Sequence, residues 1–488
     1  MRPRRANVSC PMRAAPTAPL PPPAPERARR RAGFAVALAV ALLGACVPSS
    51  RASVTEGLVL RSEATPRPVP PAEPWQPCLA ADAYADLLAE PATPPRPLRG
   101  DPAFDPERLA PAARLWYDRL WDAIVGPEQS RAITATAGRD DLYHYGRGLH
   151  THVLALLTAF RVTGDLALLD EVDRIAEHMR AQLRDPWRDT LDRTDGTRDG
   201  YVNWVFRTGD SREHQGKDVH TFDEMRTHAL VAEVAWALHH NRDLASPNGV
   251  DYGARADVWT AYLLDHFEPK WRERHGVRPG DFPFLESTSV HATVAFVKYH
   301  HYVARITGSA GHRDEARRLT DLVRRHIASY RLDGATALAW PRTLVEAGGV
   351  RDYLQPSTYA RYVVGDLVDL HLDGAEAWPT GTMAALAHTI RSLVIEDDAG
   401  ATLFARDIGG GVARAGLAAS DPGDWSRPTA GQFTISPTSF VALWDRTGEV
   451  AAVACALDEA SSGTLRTVHL PAALLLALAG GDRVSEPR

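Results

Sequence analysis

The stretch THALVAEVAWALHHNRD, Thr227 to Asp243, decides the fold. From Ala229 to Leu238 apolar side chains fill almost every position, so a helix here is buried on all sides. The next segment, DYGARADVWTAYLLDHF, has the amphipathic pattern of an outer helix. The couple recurs. LHTHVLALLTAFRVTGD (Leu149–Asp165) precedes LALLDEVDRIAEHMRAQL, and HATVAFVKYHHYVARITGS (His291–Ser309) precedes HRDEARRLTDLVRRHIASY. TYARYVVGDLVDLHLDG with GTMAALAHTIRSLVIED makes a further pair, and PTSFVALW with AAVACALDE a last one. Inner apolar helices alternating with outer amphipathic ones predict an all-α fold, an (α/α)6–7 toroid of about six or seven hairpins. No βαβ pattern is present, and residues 400–435 read as a long Gly-rich loop.

The chain has 488 residues, 44% hydrophobic and 24% charged, which is globular composition. Its start reads differently. Arg27, Arg29, Arg30 and Arg31 lead into a thirteen-residue apolar run, Gly33–Ala45, too short to span a membrane. Basic flank, apolar run and small residues read as a secretory signal over 1–45, and Leu43-Gly44-Ala45-Cys46 resembles a lipoprotein box with Cys46 as the lipidated residue. The mature chain is then expected as a lipid-anchored monomer of the bacterial cell envelope, touching the membrane only through that anchor. Residues 46–106 are Pro-rich and read as a tether, leaving 107–488 as the catalytic domain. Without residues 1–45 there remain 47 Lys and Arg against 60 Asp and Glu, a formal charge of −13. That excludes a basic footprint for nucleic acid. Cys78 and Cys455 either pair or stay as buried thiols.

The functional signal lies at the starts of the inner helices. Aligning their ends places His150 opposite His228, and His291 one turn away, opposite Arg147. Helix N-termini converging on one rim favour bound anions. Thr221-Phe222-Asp223-Glu224 fits a capping box, with Glu224 also able to orient His228. Arg147 and Arg226 suit clamping of a carboxylate. HExxH, zinc-spaced Cys pairs, GxSxG, a P-loop and a dinucleotide fingerprint are all absent, so neither metal nor cofactor is expected.

The helix pattern from about 110 to 400, with MRTHALVAEVAWAL and DFPFLESTSVHATVAFVKYHHY, resembles the α/α-toroid polysaccharide lyases that cleave uronate polymers such as alginate and glucuronan. In that family an Asn/His-bearing inner helix is followed by an LPLE turn and a helix carrying Arg and Tyr. Here Thr227-His228 takes the Asn-His place, Phe284-Leu285-Glu286 resembles the turn, and Tyr299 is the nearest Tyr. No Asn precedes His228, and His291 stands where an Arg would. The resemblance implies β-elimination without a cofactor on an acidic polysaccharide. Tyr299 would be the base, and His228, His291 and His150 would support it. Arg147, Arg226, Glu224, Tyr359, Arg361 and Trp204 would hold substrate. Tyr359, in QPSTYARY beside Arg361, competes with Tyr299 for the role of base, and Tyr145 and Tyr302 stay open. Two alternatives stand beside this reading: a glycoside hydrolase using Glu224 and Glu286, with Asp223 and Glu233 as further carboxylates, or a non-catalytic glycan-binding lipoprotein.

Overall fold

The structure, a computed structural model, describes residues 81–88, 97–188, 196–208, 215–275, 289–344, 354–396, 402–416, 425–426 and 440–460. These all belong to one compact unit, Trp75–Arg488. The signal segment, Cys46, Cys78, the Phe284–Glu286 turn and the side chain of Cys455 lie outside the described residues.

The fold is mostly helical. Helices α1 (Ala81–Leu87), α2 (Pro111–Ile124) and α3 (Pro127–Ala137) precede a continuous helical run. That run is α4 (Leu142–His144), a π turn (Tyr145–Leu149) and α5 (His150–Thr163). Next come α6 (Leu166–Arg180), α7 (Thr221–His240), α8 (Tyr252–Tyr262), a second π turn (Leu263–Phe267) and α9 (Glu268–His275). Then follow α10 (Val290–Thr307), α11 (Ala310–His326), α12 (Ser357–Leu372), α13 (Thr380–Ser392), α14 (Gly409–Arg414) and α15 (Glu449–Ala460). No helix among the described residues is long and apolar enough to cross a membrane.

Inner and outer helices differ as the sequence pattern requires. Twelve of the fourteen residues of α5 are buried, and fourteen of the eighteen in α10, against four of the seventeen in α11. The pairs α5–α6, α7–α8, α10–α11 and α12–α13 pack together, and the inner helices adjoin in the order α5, α7, α10, α12. Two of the turns share one construction. Thr163-Gly164-Asp165 and Thr307-Gly308-Ser309 end an inner helix on a left-handed Gly, at φ 73° and 69°. The next side chain then caps the outer helix: Asp165 accepts from Ala167 N at 2.9 Å and Ser309 from His312 N at 3.4 Å.

Three expectations need correction. Residues 97–106 are no tether: Leu98 is fully buried, Asn241 Nδ2 donates to its carbonyl at 2.8 Å, and Arg99 pairs with Asp243 at 2.6 Å. Helix α1 likewise packs on α15. Second, a β-hairpin, β1 (Ala328–Leu332) with β2 (Ala335–Ala339), stands between α11 and α12. Its turn, Asp333-Gly334, has both φ angles positive, at 50° and 79°; Asp-Gly between apolar runs is the local signal for it. Third, residues 400–435 are not wholly loop: β4 (Thr402–Ala405) joins β3 (Val394–Glu396) and β5 (Trp425–Ser426) in a small antiparallel sheet, and α14 follows β4.

Candidate functional site

The N-terminal turns of four inner helices meet around Phe222. Its ring lies 4.6 Å from His291 of α10, 5.9 Å from Tyr359 and 5.5 Å from Tyr362 of α12. The guanidinium of Arg147, from the π turn, sits 5.6 Å from the same ring and 4.3 Å from that of Tyr143. Its Nε donates to Asp223 Oδ1 at 3.0 Å. The π turn sets this approach. An added Cβ at Gly146 would meet the backbone oxygen of Asp223 at 2.7 Å, so only glycine lets the turn pack on α7 this closely.

Beneath this layer Arg226 is fully buried. Its Nε donates to Gly146 O at 2.9 Å and its Nη2 to His150 Nδ1 at 2.7 Å, and its guanidinium covers the Tyr362 ring at 3.5 Å. A guanidinium only donates, so the imidazole accepts, with Nδ1 at 2.7 Å nearer to Nη2 than Nε2 at 3.2 Å. Burial first, and then the Arg226 charge, holds His150 well below the usual imidazole range. His291 is lowered to about 3, again by burial and then Arg226. It stacks on Tyr359 at 4.9 Å, and its Nε2 meets Ser289 Oγ at 3.1 Å. Asp223 is raised to about 6 by burial, against the lowering effect of Arg147. Arg361 reaches the Tyr362 hydroxyl at 2.6 Å.

Six residues singled out from sequence thus gather in one place: Arg147, His150, Arg226, His291, Tyr359 and Arg361. Four others do not. His228 is fully buried on another side of α7, with Nδ1 on Glu224 O and Nε2 on the Tyr262 hydroxyl, both at 2.8 Å. It stacks on Phe267 at 3.8 Å. With both nitrogens engaged, it holds the core together and faces no cleft. Tyr299 is fully buried and donates to Glu268 at 2.7 Å; burial, then Glu268, pushes its phenol well above the usual value, which disqualifies it as a base. Trp204 is fully buried and donates to Met179 O at 2.8 Å, so it offers no sugar platform.

Glu224 is the fourth. His220, not Thr221, caps α7, accepting from Asp223 N at 3.1 Å, while Glu224 Oε2 returns to His220 N at 3.3 Å. Its Oε1 takes Asn203 Nδ2 at 3.0 Å, Trp271 Nε1 at 3.1 Å and the Lys270 ammonium. A carboxylate so enclosed serves packing, not substrate. Tyr145 and Tyr302 are buried as well, bonded to Ala137 O and Asp373.

One feature escaped the sequence reading. Arg161 of α5, Glu233 of α7, Lys298 of α10 and Asp366 and Asp369 of α12, with Asp373 just beyond, form a fully buried ionic ladder. Lys298 Nζ lies 2.6 Å from both Glu233 and Asp369, and Arg161 lies 2.6 Å from Asp373. The signal was available: each inner helix carries charge in the middle of an apolar run. By contrast, the cavity lined by Val153, Val172, Met179, Val231 and Trp259 has apolar walls and no chemistry.

Comparison with protein-family models, with characterised proteins and with solved structures finds no match to this chain.

Proposed function

We propose that the chain is a polysaccharide lyase acting on a uronate-containing polymer of the alginate or glucuronan type, its hairpins arranged as an α/α toroid. The observation that carries this reading is Arg226. Among the described residues no carboxylate comes within ion-pair distance of its guanidinium, and its Nη1 has no hydrogen-bond partner. A desolvated, unpaired cation is costly, and an anion bound above it offsets that cost.

The chemistry follows from the layer above. Arg147 and Arg361, both partly exposed, hold the uronate carboxylate, and the buried charge of Arg226 supports them from below. Tyr359, half-buried between His291 and the Arg342 guanidinium 6.0 Å from its ring, takes the role of base. As phenolate it removes the C5 proton. The C5–H electrons form the C4–C5 double bond, the C4–O4 bond breaks, and the same proton passes to O4. The guanidinium groups stabilise the second negative charge that gathers on the carboxylate as the proton leaves. His291 and His150 are held neutral, which suits them to hydrogen bonding and not to charge neutralisation. Secretion and anchoring through Cys46 would place this activity in the cell envelope, against an acidic polysaccharide and with no cofactor in the elimination.

The test is incubation of the purified chain with alginate, glucuronan, hyaluronan and pectate while following ultraviolet absorbance of the conjugated double bond. A rise on one polymer, lost in Tyr359→Phe, is expected. Reducing ends without absorbance would instead indicate hydrolysis, and binding without turnover a glycan-binding protein.

A further inference from the structure

We propose that Glu268, His300 and His312 form a binding site for one divalent transition-metal ion of the zinc class. Their donor atoms come from three helices, α9, α10 and α11, and lie within 4.8 Å of one another. Glu268 Oε1 and His312 Nε2 are 3.4 Å apart. That is the separation of two ligands on one tetrahedral ion, about 3.3 Å for bonds of about 2.0–2.1 Å. His300 Nδ1 faces His312 Nδ1 at 2.8 Å. His312 can present only one ring nitrogen to an ion, so with Nε2 turned to it beside Glu268 the Nδ1 contact breaks and His300 swings its nitrogen to the same side.

Independent features support a site over a chance cluster. His300 is buried, the nitrogen it turns to the cluster is Nδ1, and its Nε2 has no partner, so no bond on that nitrogen holds the ring back from an ion. Glu268 receives the Tyr299 hydroxyl at 2.7 Å, the kind of outer hydrogen bond that orients a ligating carboxylate. Glu268 directly follows the second π turn, which re-aims the helix at this point. The side chains of Glu268 and His312 keep 11% and 13% exposure, leaving an entry path and room for a water ligand. Two cations face the cluster: Arg318 is engaged by Glu315 at 2.9 Å, and Arg272 lies 3.7 Å from the other oxygen of Glu268.

The site is separate from the proposed lyase centre. His291 and His300 share α10, and nine residues place them about 14 Å apart along the axis and about 180° around it. The ion would therefore staple α9, α10 and α11 and take no part in the elimination. Its ligands are 32 and 12 residues apart in the chain, a spacing that matches no short motif, which is why the sequence reading expected no metal.

The test uses the untagged chain, stripped with chelator and titrated with Co²⁺ and then Zn²⁺, following visible d–d absorption, stoichiometry and thermal unfolding. One equivalent of Co²⁺ with tetrahedral-type bands, displaced by Zn²⁺, and a metal-dependent rise in Tm are expected. His312→Ala, at a partly exposed position, should keep its circular dichroism and weaken binding at least tenfold, and Glu268→Gln should weaken it similarly. Failure of the wild-type chain to take up metal would overturn the proposal. So would unchanged affinity in both variants.

Discussion

Arg226 Nη2 donates to His150 Nδ1 at 2.7 Å, joining the second turn of α7 to the start of α5, while its Nη1 is left without a partner. Exchange of Arg226 for Met therefore separates stability from function. Apolar volume in place of a desolvated unpaired charge offsets the two lost hydrogen bonds, so the unfolding free energy should stay within about 2 kcal/mol of wild type. Turnover should fall by about 10²–10³. Paired urea titrations and initial rates measure both, and a large loss of stability would make Arg226 a purely structural residue.

Tyr359 and Tyr299 give a matched comparison. Tyr359→Phe should lower kcat by about 10²–10⁴ with little change in KM. Tyr299→Phe removes a bond to Glu268 on another side of α10 and should leave kcat within about threefold while costing about 1 kcal/mol of stability. Equal losses of rate in the two variants would contradict the assignment.

Gly146→Ala tests the close approach of the π turn to α7. The added methyl would meet the backbone of Asp223, so the turn must shift and carry Arg147 away from Asp223. A loss of about 1–3 kcal/mol is expected, with weaker substrate binding. The urea midpoint and KM report the two effects.

Lys298→Ala leaves Glu233, Asp366 and Asp369 without their shared cation. Breaking such a buried group from one side costs about 3–5 kcal/mol. Lys298→Ala combined with Glu233→Gln should recover part of the loss, and a double-mutant cycle in urea would show the coupling.

Acid should unfold the protein early. His150, His152, His228, His291, His300 and His301 are all lowered, chiefly by burial, to about 4 for His152 and His301 and about 3 for His291. Each contributes stability present above the ordinary value of 6.5 and lost as pH falls below it, at about 1.4 kcal/mol per pH unit. Asp173 and Asp223, raised to about 6 by burial, and Glu233, also raised, work in the opposite sense: their contribution is complete at low pH and is lost as pH rises through their folded values. In all, ten described histidines are lowered and eight carboxylates raised, and between pH 6.5 and 5 the unfolded chain takes up protons on its imidazoles and not yet on its carboxylates. Urea midpoints should therefore drop steeply between pH 6.5 and 5, and a flat profile there would refute the neutral buried imidazoles.

The pairing of inner and outer helices was legible because burial on all sides and burial on one side leave different residue patterns. The meeting of Arg147, Arg226 and His291 was legible because charge recurs at helix starts. What failed was helical phase. Alignment by helix ends matched His150 with His228, yet His228 lies two residues, about 200°, beyond Arg226 and faces α8. The π turn adds to the error, since its extra residue per turn breaks any fixed register between α4 and α5. Tyr299 was misassigned for the same reason: proximity along the chain carried no information about which side of α10 it occupies. The Glu268–His300–His312 cluster needs three helices brought together, and no local pattern encodes that.

The buried ionic ladder has an architectural consequence. Apolar helices alone would admit another hairpin with little discrimination, since one greasy surface packs on another about equally well. Here Lys298 needs α7 on one side and α12 on the other, and Arg161 must reach past both α7 and α10 to Asp373. An inserted or deleted hairpin would strand a charge away from water. The ladder thus fixes the order of these four inner helices, so a hairpin can be inserted among them only by rewriting several helices at once.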